Sequence, residues 1–308
     1  MEAIATLATD FDNLDQITGN TPLYGVTSFS IPQKVKISAK LEWMQIGGSV
    51  KSRPAYRIIK DALLSGLLTR DKVLLDASSG NTAIAYAAIG AALGISVTIC
   101  LPENAGQARK DLLNAHGAEL ILTSKFGGTD DAQIKAKELA AKYPERFYYA
   151  DQYNNPSNWQ AHYHGTGPEI YRQTSGAITH LVVGLGTTGS AMGTYKKLKE
   201  LNPQIKLVTL QPDVALHNLE GWKHMETALV PGIYDPTMAH DNLLVDSNEA
   251  LELIPQVARK EGLMISPSAA GNLLGALKVA QTLDQGHIVT LFPDSAEKYG
   301  SLLKTLDL

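Results

Sequence analysis

The chain has 308 residues, 44% of them hydrophobic and 19% charged, with a net charge of -4 and a pI near 6.1. That length supports a large core divided between two lobes, and the absence of a dense Lys/Arg run argues against a nucleic-acid or anionic-membrane binder. The single cysteine, Cys100, has no intramolecular partner and sits in the apolar run Val97–Leu101, which predicts a buried structural thiol and a reducing, cytoplasmic compartment. Met1-Glu2-Ala3 lacks a basic n-region and soon meets Asp10 and Asp12, unlike a secretory signal.

Ile17 to Leu23 reads as a turn feeding an extended segment, and Lys34 to Leu41 alternates as a half-buried strand. Ala55, Ile58, Ile59, Ala62 and Leu63 then recur at helical spacing. Strands are expected at Val73–Leu75, Val97–Leu101, Leu120–Leu122 and Phe147–Tyr149, separated by helices over Thr82–Leu93, Arg109–Ala115 and Asp131–Lys142. Ala83 to Leu101 carries no charge, yet Gly94 divides it into a buried helix and a β-branched strand, so it is not a membrane span. The turn-rich run Asp151–Trp159 marks a crossing between lobes. A second block follows: strand His180–Val183, helix Ser190–Leu201, strand Leu207–Leu210, an irregular excursion from Asp213 to Asp241, helices Glu249–Lys260 and Leu273–Leu283, and strand Ile288–Phe292. Such alternation predicts an α/β protein of two lobes, each a mostly parallel twisted sheet flanked by helices.

Four stretches carry chemistry. In Gly47-Gly48-Ser49-Val50-Lys51-Ser52-Arg53-Pro54, one lysine stands where a strand gives way to a helix; glycines let the backbone bend and Pro54 suits an early helical position. Burial and the positive helix end both disfavour a charged amine, favouring a nucleophile, although a solvated lysine beside a turn would look the same. Ser78-Ser79-Gly80-Asn81-Thr82 opens a helix with hydroxyls and N–H groups that suit a carboxylate or phosphate; these are also ordinary helix caps. Gly184-Leu185-Gly186-Thr187-Thr188-Gly189-Ser190 spells G-x-G-x-x-G, with Asp213 beyond a later strand, so a nicotinamide-dependent oxidoreductase is one reading. Three added hydroxyls suit a terminal phosphate dianion better than a pyrophosphate. Ser266-Pro267-Ser268-Ala269-Ala270-Gly271 precedes the Leu273 helix and by itself reads as a capped turn. The histidines suggest no metal: His162 and His164 diverge on a helix, with no Cys cluster nearby.

In this order and over nearly the whole chain, these pieces resemble the fold-type II pyridoxal-phosphate enzymes, the tryptophan synthase β-like fold. Within them the likeness is to the cysteine synthase (O-acetylserine sulfhydrylase) and cystathionine β-synthase branch. Ile17–Leu23 is similar to the family's I-G-N-T-P-L, Gly48–Arg53 to G-S-V-K-D-R, Ser79–Thr82 to S-G-N-T, Gly186–Ser190 to G-T-G-G-T, Ser268-Ala269-Ala270 to S-S-G, and Pro293–Tyr299 to P-D-S-G-E-R-Y. The resemblance implies that Lys51 is the Schiff-base lysine and that Asn81 contacts the cofactor's ring oxygen. It further implies that Ser78, Ser79, Gly80, Thr82 and Gln152 hold the substrate carboxylate, that Gly186, Thr187, Thr188, Gly189 and Ser190 hold the cofactor phosphate, and that Ser268 meets the pyridine nitrogen.

A serine there leaves the ring nitrogen unprotonated, a milder electron sink suited to elimination and replacement at Cβ. The implied reaction joins O-acetylserine and sulfide into cysteine and acetate. O-Phosphoserine, with Lys223 near the leaving group, or homocysteine giving cystathionine, are alternatives, as is a catalytically silent relative. Dehydratases of the same fold carry S-G-N-H where this chain has Ser79–Thr82. A homodimer is implied, with residues 1–36 packing on the larger lobe, 37–150 forming the smaller lobe and 151–308 the larger. Ser52 in place of the usual aspartate could loosen the lysine loop; Thr188 and Ser190 vary the phosphate cup, and Ala270 replaces a glycine.

Overall fold

The computed structural model describes residues 11–78 and 80–300. Along them run strands β1 (Leu23–Val26), β2 (Val35–Leu41), β3 (Val73–Ala77), β4 (Val97–Pro102), β5 (Glu119–Thr123), β6 (Phe147–Tyr149), β7 (His180–Gly184), β8 (Lys206–Pro212), β9 (Asp241–Val245) and β10 (Gly286–Phe292). They form two sheets, one in each of two compact units.

The smaller unit takes the described residues through Gly19 together with Gln45–Asn158. Its sheet has the order β5-β4-β3-β6, all parallel. Parallel strands joined by helical crossovers are covered on both faces, which is why these segments read as apolar runs rather than alternating ones. Leu74 packs with Ile58, Ile59, Ile84 and Ile99 on one face, whereas its neighbour Leu75 packs with Cys100, Ala132 and Phe147 on the other. The uncharged stretch from Ala83 resolves into the helix Asn81–Leu93, closed by Gly94 at φ 64°, and then β4. Cys100 is fully buried, and burial pushes its thiol up to about 11, so it remains a protonated core residue near neutrality.

The larger unit takes Asn20–Met44 and Trp159 onward. Its sheet runs β1-β2-β10-β7-β8-β9; β1 is antiparallel to β2, and every other pair is parallel. The helix Pro267–Ala280 supplies Leu273, Leu274 and Ala276 to a core shared with Ile37, Val182, Leu210, Ile288 and Phe292.

The divisions expected at 36/37 and 150/151 differ from those in the structure. β2 pairs with β10 from Val35↔Gly286 to Leu41↔Phe292, which assigns residues 37–44 to the larger unit. Residues 11–19 go the other way, because Phe11 and Leu14 enter the smaller unit's core. Gln152 and Asn155 are hydrogen-bonded to Ala77 and Ala150, which keeps 151–158 with the smaller unit. Within the irregular excursion, β9 begins at Asp241, and the single helix expected at Glu249–Lys260 is two, Ser247–Leu251 and Leu253–Glu261.

Candidate active site

Lys51 is the N-cap of the helix Ser52–Leu64, at φ -71° and ψ -15°, and is half-buried. Gly47 and Gly48 before it adopt φ 71° and 62°, a region that glycine enters without penalty. A Cβ on Gly47 would stand 3.2 Å from the Ala85 Cα, so the loop lies directly against the helix Asn81–Leu93. Ser52 does not loosen this loop. It is fully buried, its hydroxyl donates to the Ile46 carbonyl, and its N–H donates to Ser49 O at 3.1 Å. The Lys51 N–H donates to Ser49 Oγ at 3.3 Å.

On the neighbouring helix, Asn81 is the first residue after Gly80, whose N–H donates to Ser78 Oγ at 3.2 Å. Ser79 lies outside the described residues. Thr82 Oγ1 donates to Gln152 Oε1 at 2.7 Å, and Gln152 Nε2 donates to Ala77 O at 2.8 Å. Thus Ser78, Gly80, Asn81, Thr82 and Gln152 gather between the C-terminal end of β3 and the head of the helix Asn81–Leu93, which packs against the Lys51 loop.

Beneath them lies a residue that the sequence reading missed. Asp76 is buried; its Oδ1 accepts from the Ala77 N–H at 2.8 Å and its Oδ2 from the Gln152 N–H at 3.3 Å. Burial pushes its carboxyl up to about 7, opposed by those N–H groups and the Tyr86 hydroxyl and reinforced by the charge of Asp151. The visible signal was one acid inside the apolar run Val73-Leu74-Leu75-Asp76-Ala77.

The larger unit holds the remaining candidates. β7 ends at Gly184, and the helix Gly189–Leu201 starts after Thr188. Gly184 donates its N–H to Asn272 Oδ1 at 2.7 Å, and Asn272 Nδ2 donates to Leu291 O at 2.7 Å, which ties the cup to the Ser268 helix and to β10. The Trp222 ring fills the space beside Gly184 and Gly271, where an added Cβ would meet it. Gly186 lies against the Gly221 carbonyl with no room for a side chain. Lys223, half-buried, donates its backbone N–H to Leu185 O at 2.8 Å, which fixes its loop beside the cup. Ser268 is buried in the first turn of Pro267–Ala280, with its Oγ 3.1 Å from Ser266 Oγ. That helix begins six residues before the expected Leu273 because Ser266 caps it and Pro267 occupies its first position. Ala270 is helical and fully buried, so this position requires no glycine.

The larger unit's residues fit a phosphorylated cofactor. Thr188 Oγ1 is buried and has no hydrogen-bond partner, at the head of a helix whose dipole favours an anion. A buried hydroxyl without a partner is costly unless a ligand satisfies it.

A family model described as pyridoxal-phosphate dependent enzyme matches residues 14–294. The chain belongs to this family of pyridoxal-phosphate-dependent enzymes. Within it, the chain is 44% identical over 291 residues to the cysteine synthase of Aquifex aeolicus (strain VF5), covering 92% of this chain and 89% of that one. It is 33% identical to the O-acetylserine dependent cystathionine beta-synthase of Bacillus subtilis (strain 168), covering 96% of each. The crystal structure of cysteine synthase (OASS) from Entamoeba histolytica superposes with a TM-score of 0.90 at 28% identity, covering 96% of this chain and 91% of that one. The cofactor is pyridoxal phosphate, and the nicotinamide reading of Gly184–Gly189 is set aside.

Proposed function

We propose that the protein is a cysteine synthase: it replaces the acetyl ester of O-acetylserine with sulfide, releasing acetate, as a homodimer in the cytoplasm. The observation that carries this reading is the packing of the Lys51 loop on the helix that presents Thr82, itself bonded to Gln152. It brings an amine and a carboxylate-binding loop onto adjacent elements. When bound, the cofactor supplies an electron sink for charge developing at the substrate Cα.

The chain's own residues do the rest. Lys51 Nζ would hold the cofactor through its aldehyde group, and the free amine would take the proton from the substrate Cα. Ser78, Ser79, Gly80, Thr82 and Gln152 orient the substrate carboxylate so that the Cα–H bond faces that amine; the Thr82–Gln152 bond holds both side chains ready. Asn81 would donate to the ring oxygen. Thr187, Thr188 and Ser190, with the N–H groups of Gly186 and Gly189, would hold the phosphate. Ser268 would donate to an unprotonated ring nitrogen, an arrangement that favours loss of the β-substituent over transamination. Lys223 stands beside the cup on its pinned loop, and an O-phosphoserine substrate would make use of its charge.

Borohydride reduction of the loaded protein followed by peptide mapping should place the label on Lys51, and Lys51→Ala should abolish it. A label elsewhere would defeat the assignment. Turnover with sulfide should prefer O-acetylserine over O-phosphoserine; a preference for the phosphoester that Lys223→Ala removes would establish the other substrate. Homocysteine in place of sulfide checks for cystathionine formation, and a loaded protein inert to every ester would be a silent relative.

A further inference from the structure

Ser266 takes no part in the proposed chemistry, yet its N–H, carbonyl and hydroxyl beside Ser268 are all hydrogen-bonded. It is fully buried at the N-cap of Pro267–Ala280. Its N–H donates to Asp294 O at 3.3 Å, its carbonyl accepts from the Ala270 N–H at 2.9 Å, and its Oγ accepts from the Ala269 N–H at 3.2 Å. The Ser268 Oγ lies 3.1 Å from Ser266 Oγ, both side chains being buried. We infer that Ser266 is a positioning residue that donates its hydroxyl proton to Ser268 Oγ and thereby turns the Ser268 proton toward the cofactor's ring nitrogen.

The direction follows from the count of protons and lone pairs. A hydroxyl offers one proton and two lone pairs. Ser266 Oγ has committed one lone pair to the Ala269 N–H. If Ser268 were the donor within the pair, its only proton would be spent on Ser266 and none would remain for an acceptor. If Ser266 is the donor, its proton and one lone pair are both used, and the Ser268 proton is left to point away from the pair. A ring nitrogen without a proton can only accept, so it selects the second arrangement. A hydroxyl that accepts one hydrogen bond also donates a stronger one, so the order Ala269 N–H, Ser266 O–H, Ser268 O–H reinforces itself along its length. This inference rests on the assignment of Ser268 to the ring nitrogen and adds the residue that sets its proton.

The test is the nitrogen-15 resonance of holoenzyme reconstituted with cofactor labelled at the ring nitrogen. Loss of a hydrogen bond moves a pyridine nitrogen to higher frequency. Ser268→Ala should produce that shift in full. Ser266→Gly, which leaves a residue tolerated at a helix N-cap, should move the resonance the same way by a smaller amount. Ser266→Asp, which caps the helix but has no proton to give and instead takes the one on Ser268, should approach the Ser268→Ala position. Ser266→Thr should restore the wild-type position, which a role limited to filling space or capping would not require of it alone. The inference is overturned if Ser266→Gly and Ser266→Asp both keep the wild-type resonance while Ser268→Ala shifts it. If Ser268→Ala itself leaves the resonance in place, the assignment of Ser268 fails, and the role of Ser266 fails with it.

Discussion

Thr188 adopts φ 68°, where a β-branched residue is disfavoured by about 1–2 kcal/mol. Its hydroxyl is buried without a partner, so strain and an unmet donor coincide on one residue of the cup. Thr188→Gly should therefore raise the melting temperature of the cofactor-free protein while weakening pyridoxal phosphate roughly tenfold, the loss expected for one hydrogen bond to a charged group. Opposite movement of Tm and affinity is the diagnostic result; a parallel fall in both would mean that the hydroxyl serves only packing. Asp76 gives a second residue-scale test. Its carboxyl is raised to about 7 by burial, above the roughly 4 of an unfolded aspartate, so between those values the folded state binds more protons than the unfolded one. Stability from this group should fall as pH rises from about 4 to 7 and level off above, by on the order of 4 kcal/mol. Around it, the phenols of Tyr86, Tyr148, Tyr149 and Tyr153 and the thiol of Cys100 are all raised by burial, away from that window. Asp76→Asn should flatten the slope in thermal melts from pH 4 to 8; an unchanged slope would assign it to another group.

Among the elements, β1 is paired with β2 and is also tied, with the turn that follows it, by one carboxylate. Glu261, at the end of the helix Leu253–Glu261, accepts from the Thr27 and Ser28 N–H groups at 2.9 and 2.7 Å and from the Tyr24 hydroxyl at 2.5 Å. Burial pushes its carboxyl up, but the bonds from Tyr24, Ser28 and Thr27 together outweigh burial and hold it below the ordinary value. The clamp's contribution is thus present above about pH 4 and lost as pH falls through the lowered pKa. Glu261→Gln removes one acceptor and should cost about 1 kcal/mol once solvent screening is allowed for, read as a lower urea midpoint at neutral pH that converges with wild type in acid. The same strand shows what the sequence could not reveal. β3, β4 and β7 are legible because strands buried on both faces are continuous apolar runs. β1 and β9 are four- and five-residue edge strands, half-exposed, with Gly25 in one and Asp241-Asn242 opening the other, and leave no such pattern. Of the residues proposed for the site, Lys51, Asn81, Thr82, Gln152 and Ser268 stand in motifs that the sequence displays. Asp76 and Ser266 were not legible, since their significance lies in a backbone N–H seventy-six residues away and in a hydroxyl–hydroxyl contact.

At the scale of the whole chain, the two sheets differ in how far apart their partners lie. In the smaller unit β3 meets β4 through Leu74↔Val97, β4 meets β5 through Thr98↔Glu119, and the farthest pairing, Val73↔Phe147, still falls within one continuous stretch. The larger unit must join β2 to β10, Val35 to Gly286, across Gln45–Asn158 of the smaller unit before its sheet is complete. Closing so long a loop is entropically unfavourable until contacts form, and non-local pairing is slow for that reason. The smaller unit should therefore fold first, as an intermediate with formed secondary structure. The chain carries its own reporter for this order: its three tryptophans, Trp43, Trp159 and Trp222, all belong to the larger unit. On dilution from denaturant, far-ultraviolet circular dichroism should recover partly in an early phase in which tryptophan fluorescence has not changed, and the remainder should recover together with the fluorescence. Superimposable traces would show the two sheets forming in one step, and the separation in pairing distance would then have no kinetic consequence. Shortening the loop gives the converse result: a circular permutant that joins the two ends of the chain and opens it between Asn158 and Trp159 brings β2 and β10 close in sequence, keeps Phe11 and Leu14, and should pull the late phase forward.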